Sequence, residues 1–259
     1  MRLLCGAALL AWLSIPAPAP GQAAPAHDWE AGFSYAVQDF TVDSAPWSTW
    51  IETAVALTRV IPRGTVRLEA IQGRRFDAWD GTLGVDAWSA LWERGYGNLH
   101  VQVTPDARTR ADLDVAAAVF HGVDGWELGG GWRHQRYDAG GIGVDALTLT
   151  AARYLDGWYL RGGAEVAGVD GPEGVTATAV ARWYFVPPED LVEMGVAWGE
   201  GPELVGAGPA VGVGRGGHGH VRFQIFPWPY VGFGASAEVR SFRDLPVRHG
   251  LSLSLRARW

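Results

Sequence analysis

From Trp29 to the end of the chain, apolar and polar residues alternate one by one. Near the end, Leu251, Leu253, Leu255, Ala257 and Trp259 fall on one face, with Ser252, Ser254, Arg256 and Arg258 on the other. Successive side chains of an extended strand point to opposite faces, so the pattern predicts strands with one apolar and one polar side. The same alternation sets Trp158, Leu160, Ala164 and Val166 against Tyr159, Arg161 and Glu165. It also sets Val175, Ala177, Ala179, Ala181 and Trp183 against Thr176, Thr178, Arg182 and Tyr184. Applied throughout, it predicts strands over 28–39, 47–61, 64–75, 81–92, 96–103, 108–121, 124–136, 142–155, 157–168, 174–186, 190–199, 218–226, 229–241 and 248–259. That makes about 14 strands, or 12 if the short segment at 96–103 merges with a neighbour.

A soluble sandwich alternates too. Three details favour a barrel in a membrane. Many strands run to about ten residues or more, the length a tilted strand needs to cross the hydrocarbon layer. Aromatic residues gather at strand ends: Trp29, Trp126 and Trp158 open strands, and Trp183, Phe185, Trp198 and Trp259 close them. Such rings prefer the headgroup zone. The final strand is amphipathic and stops on an aromatic residue, like the signal by which outer-membrane barrels are recognised for insertion. The turns at Pro62-Arg63, Arg94-Gly95, Gly122-Val123, Asp156, Pro187-Pro188-Glu189 and Pro227-Trp228 are short, as periplasmic turns are. Phe40 to Pro46, Phe76 to Asp80, Val169 to Glu173 and Gly199 to Gly217 are the expected outer connections, and the last is long enough to fold into the lumen. The register falters between Leu83 and Trp92, where Trp88 and Trp92 share a face with Asp86; a bulge or a lumenal aromatic would explain it.

The first residues read as a processing segment. Arg2 precedes an apolar run from Leu3 to Ile15, followed by small residues and prolines, so residues 1–23 are expected to be a signal peptide and 24–259 the barrel. Cleavage is expected after Ala23, with Ala26 as the alternative. Cys5, the single cysteine, lies inside this segment with too little apolar chain before it for lipidation, so no disulfide and no cysteine metal site is expected. The chain carries a net charge of −7, which becomes −8 when Arg2 is removed with a segment that holds no acid. An acidic chain is a poor partner for nucleic acid. Every basic residue is Arg, read chiefly as coding bias, and the 36 glycines and 14 tryptophans are many for a soluble domain.

Several stretches resemble the YaiO-type outer-membrane β-barrels: Gly95-Tyr-Gly-Asn-Leu99, Thr104-Pro105, Gly125-Trp-Glu-Leu-Gly-Gly-Gly-Trp132 with Arg133 and Tyr137, Ala152-Arg-Tyr-Leu-Asp-Gly-Trp-Tyr-Leu160, and Ala181-Arg-Trp-Tyr-Phe185. The resemblance covers essentially the whole mature chain and is closest over 95–200. It implies an outer-membrane barrel of the kind associated with cell-surface polysaccharide systems, and it carries no catalytic residues.

Local chemistry is sparse. Gly212-Val-Gly-Arg-Gly-Gly217 matches a dinucleotide fingerprint literally, but it lacks the strand-then-helix setting that makes such a loop bind phosphate. His218 and His220 would face one way but need further ligands to hold a metal. His100, His134 and Ser89 are the scattered candidates for a barrel enzyme of acyl chains, with no motif joining them. The polar face is richer. Arg67, Glu69, Asp112, Asp114, Glu127, Arg133, Arg161, Glu165, Arg182, Arg222, Glu238, Arg240, Arg256 and Arg258 are expected to line the interior. Such residues either pair and close the lumen or tune a polar passage. Arg133, Arg161, Glu165, Arg182, Arg222, Arg240 and Arg256 are singled out as the lumen-lining set.

The expected protein is therefore all-β, a transmembrane antiparallel up-and-down β-barrel in the outer membrane of a Gram-negative-type bacterium. It is expected to be a non-enzymatic, porin-like pore or accessory in surface polysaccharide export, with no cofactor and no metal. Its expected partners are outer-membrane lipids, the barrel-insertion machinery, a surface polysaccharide and the periplasmic proteins that make or export it. A lipid- or glycan-modifying barrel enzyme and a closed structural or adhesin-like barrel are the alternatives.

Overall fold

The computed structural model describes residues 27–41, 49–137, 141–169, 173–186, 189–205, 210–243 and 245–259. The expected signal peptide and cleavage sites, most of the first outer connection and the Pro187-Pro188 turn lie outside them. Fourteen antiparallel strands close into one barrel: β1 (Trp29–Phe40), β2 (Trp50–Ile61), β3 (Gly64–Arg75), β4 (Ala78–Trp92), β5 (Gly95–Val103), β6 (Leu113–Val123), β7 (Trp126–Tyr137), β8 (Ile142–Leu155), β9 (Trp158–Val169), β10 (Gly174–Val186), β11 (Asp190–Val205), β12 (Ala210–Trp228), β13 (Val231–Phe242) and β14 (Arg248–Arg258). Each strand pairs with its sequence neighbours, and β1 pairs with β14. Every strand thus has two partners, which leaves no edge of unpaired backbone in lipid.

The seam between β1 and β14 is fixed twice. Its backbone register runs from Glu30 opposite Arg258 to Phe40 opposite Arg248. On the inner face, Arg258 Nε donates to Glu30 at 2.8 Å, and an Arg256 guanidinium nitrogen lies 3.5 Å from the same carboxylate.

The two faces separate as the alternation requires. Leu83, Leu147, Leu149, Leu251 and Leu253 are all more than 60% exposed in the isolated chain. They form part of an apolar outer belt that lipid covers. Outward Trp126, Trp132, Trp158, Trp183, Trp198 and Trp228 accompany them. The inner face buries Arg, Glu, Asp, Thr and Asn together with small apolar side chains such as Ala116, Ala152 and Ala167.

The expected count of 14 holds, because the segment at 96–103 is an independent strand. Two local expectations are corrected. Residues 108–112 are not the start of β6 but part of a loop. Asp106 takes a positive φ of 53°, and Asp80 captures the backbone N–H groups of Arg108 and Thr109, so they are withheld from a ladder. Most of the stretch Gly199 to Gly217 is strand and not irregular loop. β11 and β12 continue as a paired hairpin, with Gly199 opposite Gly216 and Val205 opposite Ala210. The glycine fingerprint within it lies in β12, and no helix follows it.

The irregular stretch before Trp92 has both of its expected causes. Trp88 points inward and is buried. A register shift between Ala90 and Trp92 then turns Trp92 outward, where its indole N–H donates to His121 at 2.9 Å.

Candidate functional site

Among the described residues, a polar network lies toward each end of the interior. The lower one lies at the end with the short turns, among them Asp124-Gly125 and Asp156-Gly157. Asp124, Gly125 and Gly157 have positive φ there, as tight hairpin turns require. Glu127 on β7 accepts hydrogen bonds from three phenols: Tyr96 (2.7 Å), Tyr154 (3.3 Å) and Tyr159 (3.2 Å). These come from β5, β8 and β9, so one carboxylate ties together residues of four strands. Behind Tyr159, Arg182 on β10 lies 5.3 Å from the Tyr159 ring and 5.9 Å from the Tyr184 ring. Arg182 also donates twice to Glu193 on β11, one bond being 2.8 Å and the other from Nη2 shorter. Planar rings and a planar fork stack without leaving the cation unpaired. At the same end, Arg258 on β14 bridges Glu30 and Glu189 and lies 3.5 Å over the ring of Phe226.

The upper network closes around the loop from Thr104 to Asp112, which joins β5 to β6. This loop folds inward, and Thr104, Thr109, Arg110 and Asp112 are all buried. Asp80 on β4 anchors it, accepting from the backbone N–H of Arg108 and Thr109 (2.8 Å each) and from the Thr109 hydroxyl (2.5 Å). Thr82 and Thr104 hydroxyls meet at 2.8 Å. Arg110 then extends to β2, where its Nη2 lies 2.5 Å from Glu52. Arg75 on β3 lies 3.5 Å from the same carboxylate. Trp50 sits beside them, with the guanidinium carbons of Arg75 and Arg248 each 5.0 Å from its ring centroid. Phe40 and Phe76 pack edge-on against Trp50 at 5.1 and 5.0 Å. Phe76 does so from a positive φ of 49°, an uncommon conformation for a bulky residue. It and Asp77 form the turn between β3 and β4.

The seven residues singled out on the polar face all alternate inward. Arg133 is bound to Asp114, with its Nε at 2.9 Å. Arg182 is bound to Glu193 as described. Arg222 sits opposite Glu193 in the β11–β12 register and donates to Gln224 at 2.7 Å. Arg240 lies 3.4 Å from Glu238, Arg256 lies near Glu30, and Glu165 accepts from Thr148 at 3.1 Å. Arg161 is an electrostatic neighbour of Tyr159. Tyr159, placed on the polar face by its alternation, belongs to these networks, as do Glu52, Arg75, Glu193, Tyr96 and Tyr154, which escaped the sequence reading. Their strand parity would have placed them, whereas nothing in the sequence places Arg110.

The histidines do not assemble a centre. His218 and His220 stack at 5.5 Å but lie against different carboxylates, Glu238 and Glu193, each at 3.3 Å. Among the described residues, no group of three or more His, Cys, Asp or Glu could hold a metal ion. His100 faces inward, 3.4 Å from Asp86. His134 faces outward, stacked on Trp132 and 3.1 Å from Asp145. Ser89 donates to the carbonyl of its neighbour Ala90. These three residues are not brought together.

Solved barrels of the outer membrane share the architecture. The chain is similar to the CymD monoaromatic hydrocarbon channel, with a TM-score of 0.61 and 7% identity over 90% of this chain and 89% of that one. It is similar to a bacterial polysaccharide outer membrane secretin, with a TM-score of 0.54 and 7% identity over 90% and 99%. It is also similar to the COG4313 outer membrane channel from Pseudomonas putida F1, with a TM-score of 0.53 and 12% identity over 92% and 97%. At these identities the likeness is one of fold. No curated protein matches the chain. The YaiO membrane beta barrel domain matches residues 29–204, spanning β1 to within β11, and the chain belongs to that family of outer-membrane barrels.

Proposed function

We propose that this barrel is a non-enzymatic conduit, or an accessory to one, in the export of a surface polysaccharide. The observation that carries the reading is the inner wall. From the Glu30–Arg258 pair at one end to the Glu52–Arg110 pair at the other, it offers charged and hydroxyl groups interleaved with aromatic rings. Such a wall can exchange hydrogen bonds with sugar hydroxyls and stack against sugar rings, while the apolar outer belt holds the barrel in lipid. The same architecture serves proteins described as channels and as a polysaccharide secretin, so the fold is compatible with this use. The partners this implies are outer-membrane lipids, the insertion machinery, the glycan and the periplasmic proteins that deliver it.

A closed structural barrel is the second reading. It is favoured by how little the paired lumenal cations are exposed: Arg182 and Arg258 are each at 8%. Conductance of the refolded protein in a planar lipid bilayer separates the two. Stepwise currents that a surface glycan blocks are expected from a conduit. Silence from folded protein would sink the conduit and leave the closed barrel.

A further inference from the structure

We propose that the outer mouth holds a binding site for the carboxylate of an acidic saccharide, built from Arg110, Arg75 and Trp50. The inference rests on the glycan reading above and gives it a substrate class.

Two guanidiniums, Arg75 and Arg110, converge on one carboxylate, Glu52. An Arg fork can satisfy two acceptor oxygens, so a single carboxylate leaves donors to spare. The unused donors are identifiable. Arg110 Nε and Trp50 Nε1 are buried and make no hydrogen bond, although Arg110 is only 9% exposed and Trp50 4%. Unmet donors buried in this way carry a desolvation cost that an incoming anion would remove. Phe40 and Phe76, both half-buried beside Trp50, supply flat apolar faces of the kind a pyranose ring stacks on. A guanidinium pair, an indole N–H and adjoining rings together fit a uronate better than a neutral sugar. Arg110 completes the site from an inward loop, and Gly73 leaves it the room. A Cβ at Gly73 would lie 2.6 Å from Arg110 Nη2.

The test is calorimetric titration of the full-length refolded barrel with trigalacturonate, and with maltotriose as a neutral trisaccharide. Trigalacturonate is expected to bind saturably and maltotriose not. Arg110→Gln is expected to weaken binding by roughly tenfold or more, the effect of one lost charge-assisted bond. Trp50→Phe keeps an aromatic ring, removes the N–H and is expected to weaken binding less. Glu52→Gln, which removes the resident competitor, is expected to strengthen it. A purely structural role for the cluster would move none of these in that opposed pattern. Retention of fast electrophoretic migration without heating checks that each variant is folded. Equal binding of both trisaccharides, or unchanged binding in folded Arg110→Gln, overturns the inference. If the barrel conducts yet does not bind trigalacturonate, only this inference falls. If it neither binds nor conducts, the conduit reading falls with it.

Discussion

Arg110, carried by the loop between β5 and β6, reaches Glu52 on β2, with Nη2 2.5 Å from the carboxylate. The loop is thereby tied to a strand that is not its neighbour in the barrel, across β3 and β4. Breaking one partner of a buried ion pair leaves the other charge uncompensated, so this tie and the Asp80 anchor hold the loop inside the mouth together.

Asp80→Ala is expected to release that loop. The substitution strips acceptors from two backbone N–H groups and a hydroxyl, each costing about 1–3 kcal/mol if it stays buried. The cheaper outcome is for the loop to move into water. Trypsin added to folded protein is then expected to cut after Arg108 and Arg110 in the variant and to spare the wild type. Equal resistance would mean that the loop is held without Asp80.

Gly64→Ala is expected to destabilise the barrel by about 3 kcal/mol or more. A Cβ at Gly64 would stand 1.8 Å from the backbone oxygen of Trp88 and 2.9 Å from the Cα of Ser89, and neither can swing aside. Gly81→Ala meets nothing within 4 Å and is expected to be neutral or to stabilise slightly. Urea midpoints of the pair in lipid vesicles check this, and similar midpoints would refute the packing argument.

Tyr96→Phe is expected to destabilise the barrel by about 1.5–3 kcal/mol, the range for a hydrogen bond to a charged acceptor. Its hydroxyl makes the shortest of the three bonds to Glu127. A double-mutant cycle with Tyr159→Phe should be non-additive, because both phenols serve one carboxylate. Strict additivity would show that the three bonds are independent.

Leu149→Arg is expected to cost about 2–4 kcal/mol if Leu149 sits near the bilayer midplane. At 72% exposed it is the most exposed large apolar residue among the described residues. The reading is unfolding free energy in vesicles against that of the protein in mild detergent. A loss of the same size in both media would point to a packing defect and not to lipid contact.

Much of the barrel was legible because strand alternation is local. Leu251 to Trp259 declares its two faces without reference to any other residue, and the same holds for Trp158 to Val166. Fourteen such segments and short turns at one end gave the strand count and the lumenal face. The hairpin continuing through Gly199 to Gly217 was not legible. Its glycines are weak strand formers by themselves, and it is the pairing of β11 with β12 that keeps them extended.

The sequence by itself determined the faces, the count and the charged inner wall, since a period of two needs only the geometry of one strand. The tertiary structure decided which charges meet. Glu30 and Arg258 are 228 residues apart and become partners only through barrel closure. The residues Arg108 to Asp112 have strand-like alternation, yet they enter the mouth because Asp80, 29 residues before Thr109, takes their backbone donors. Pairings of this kind depend on register, closure and competition for hydrogen bonds among distant segments, and no local pattern encodes them.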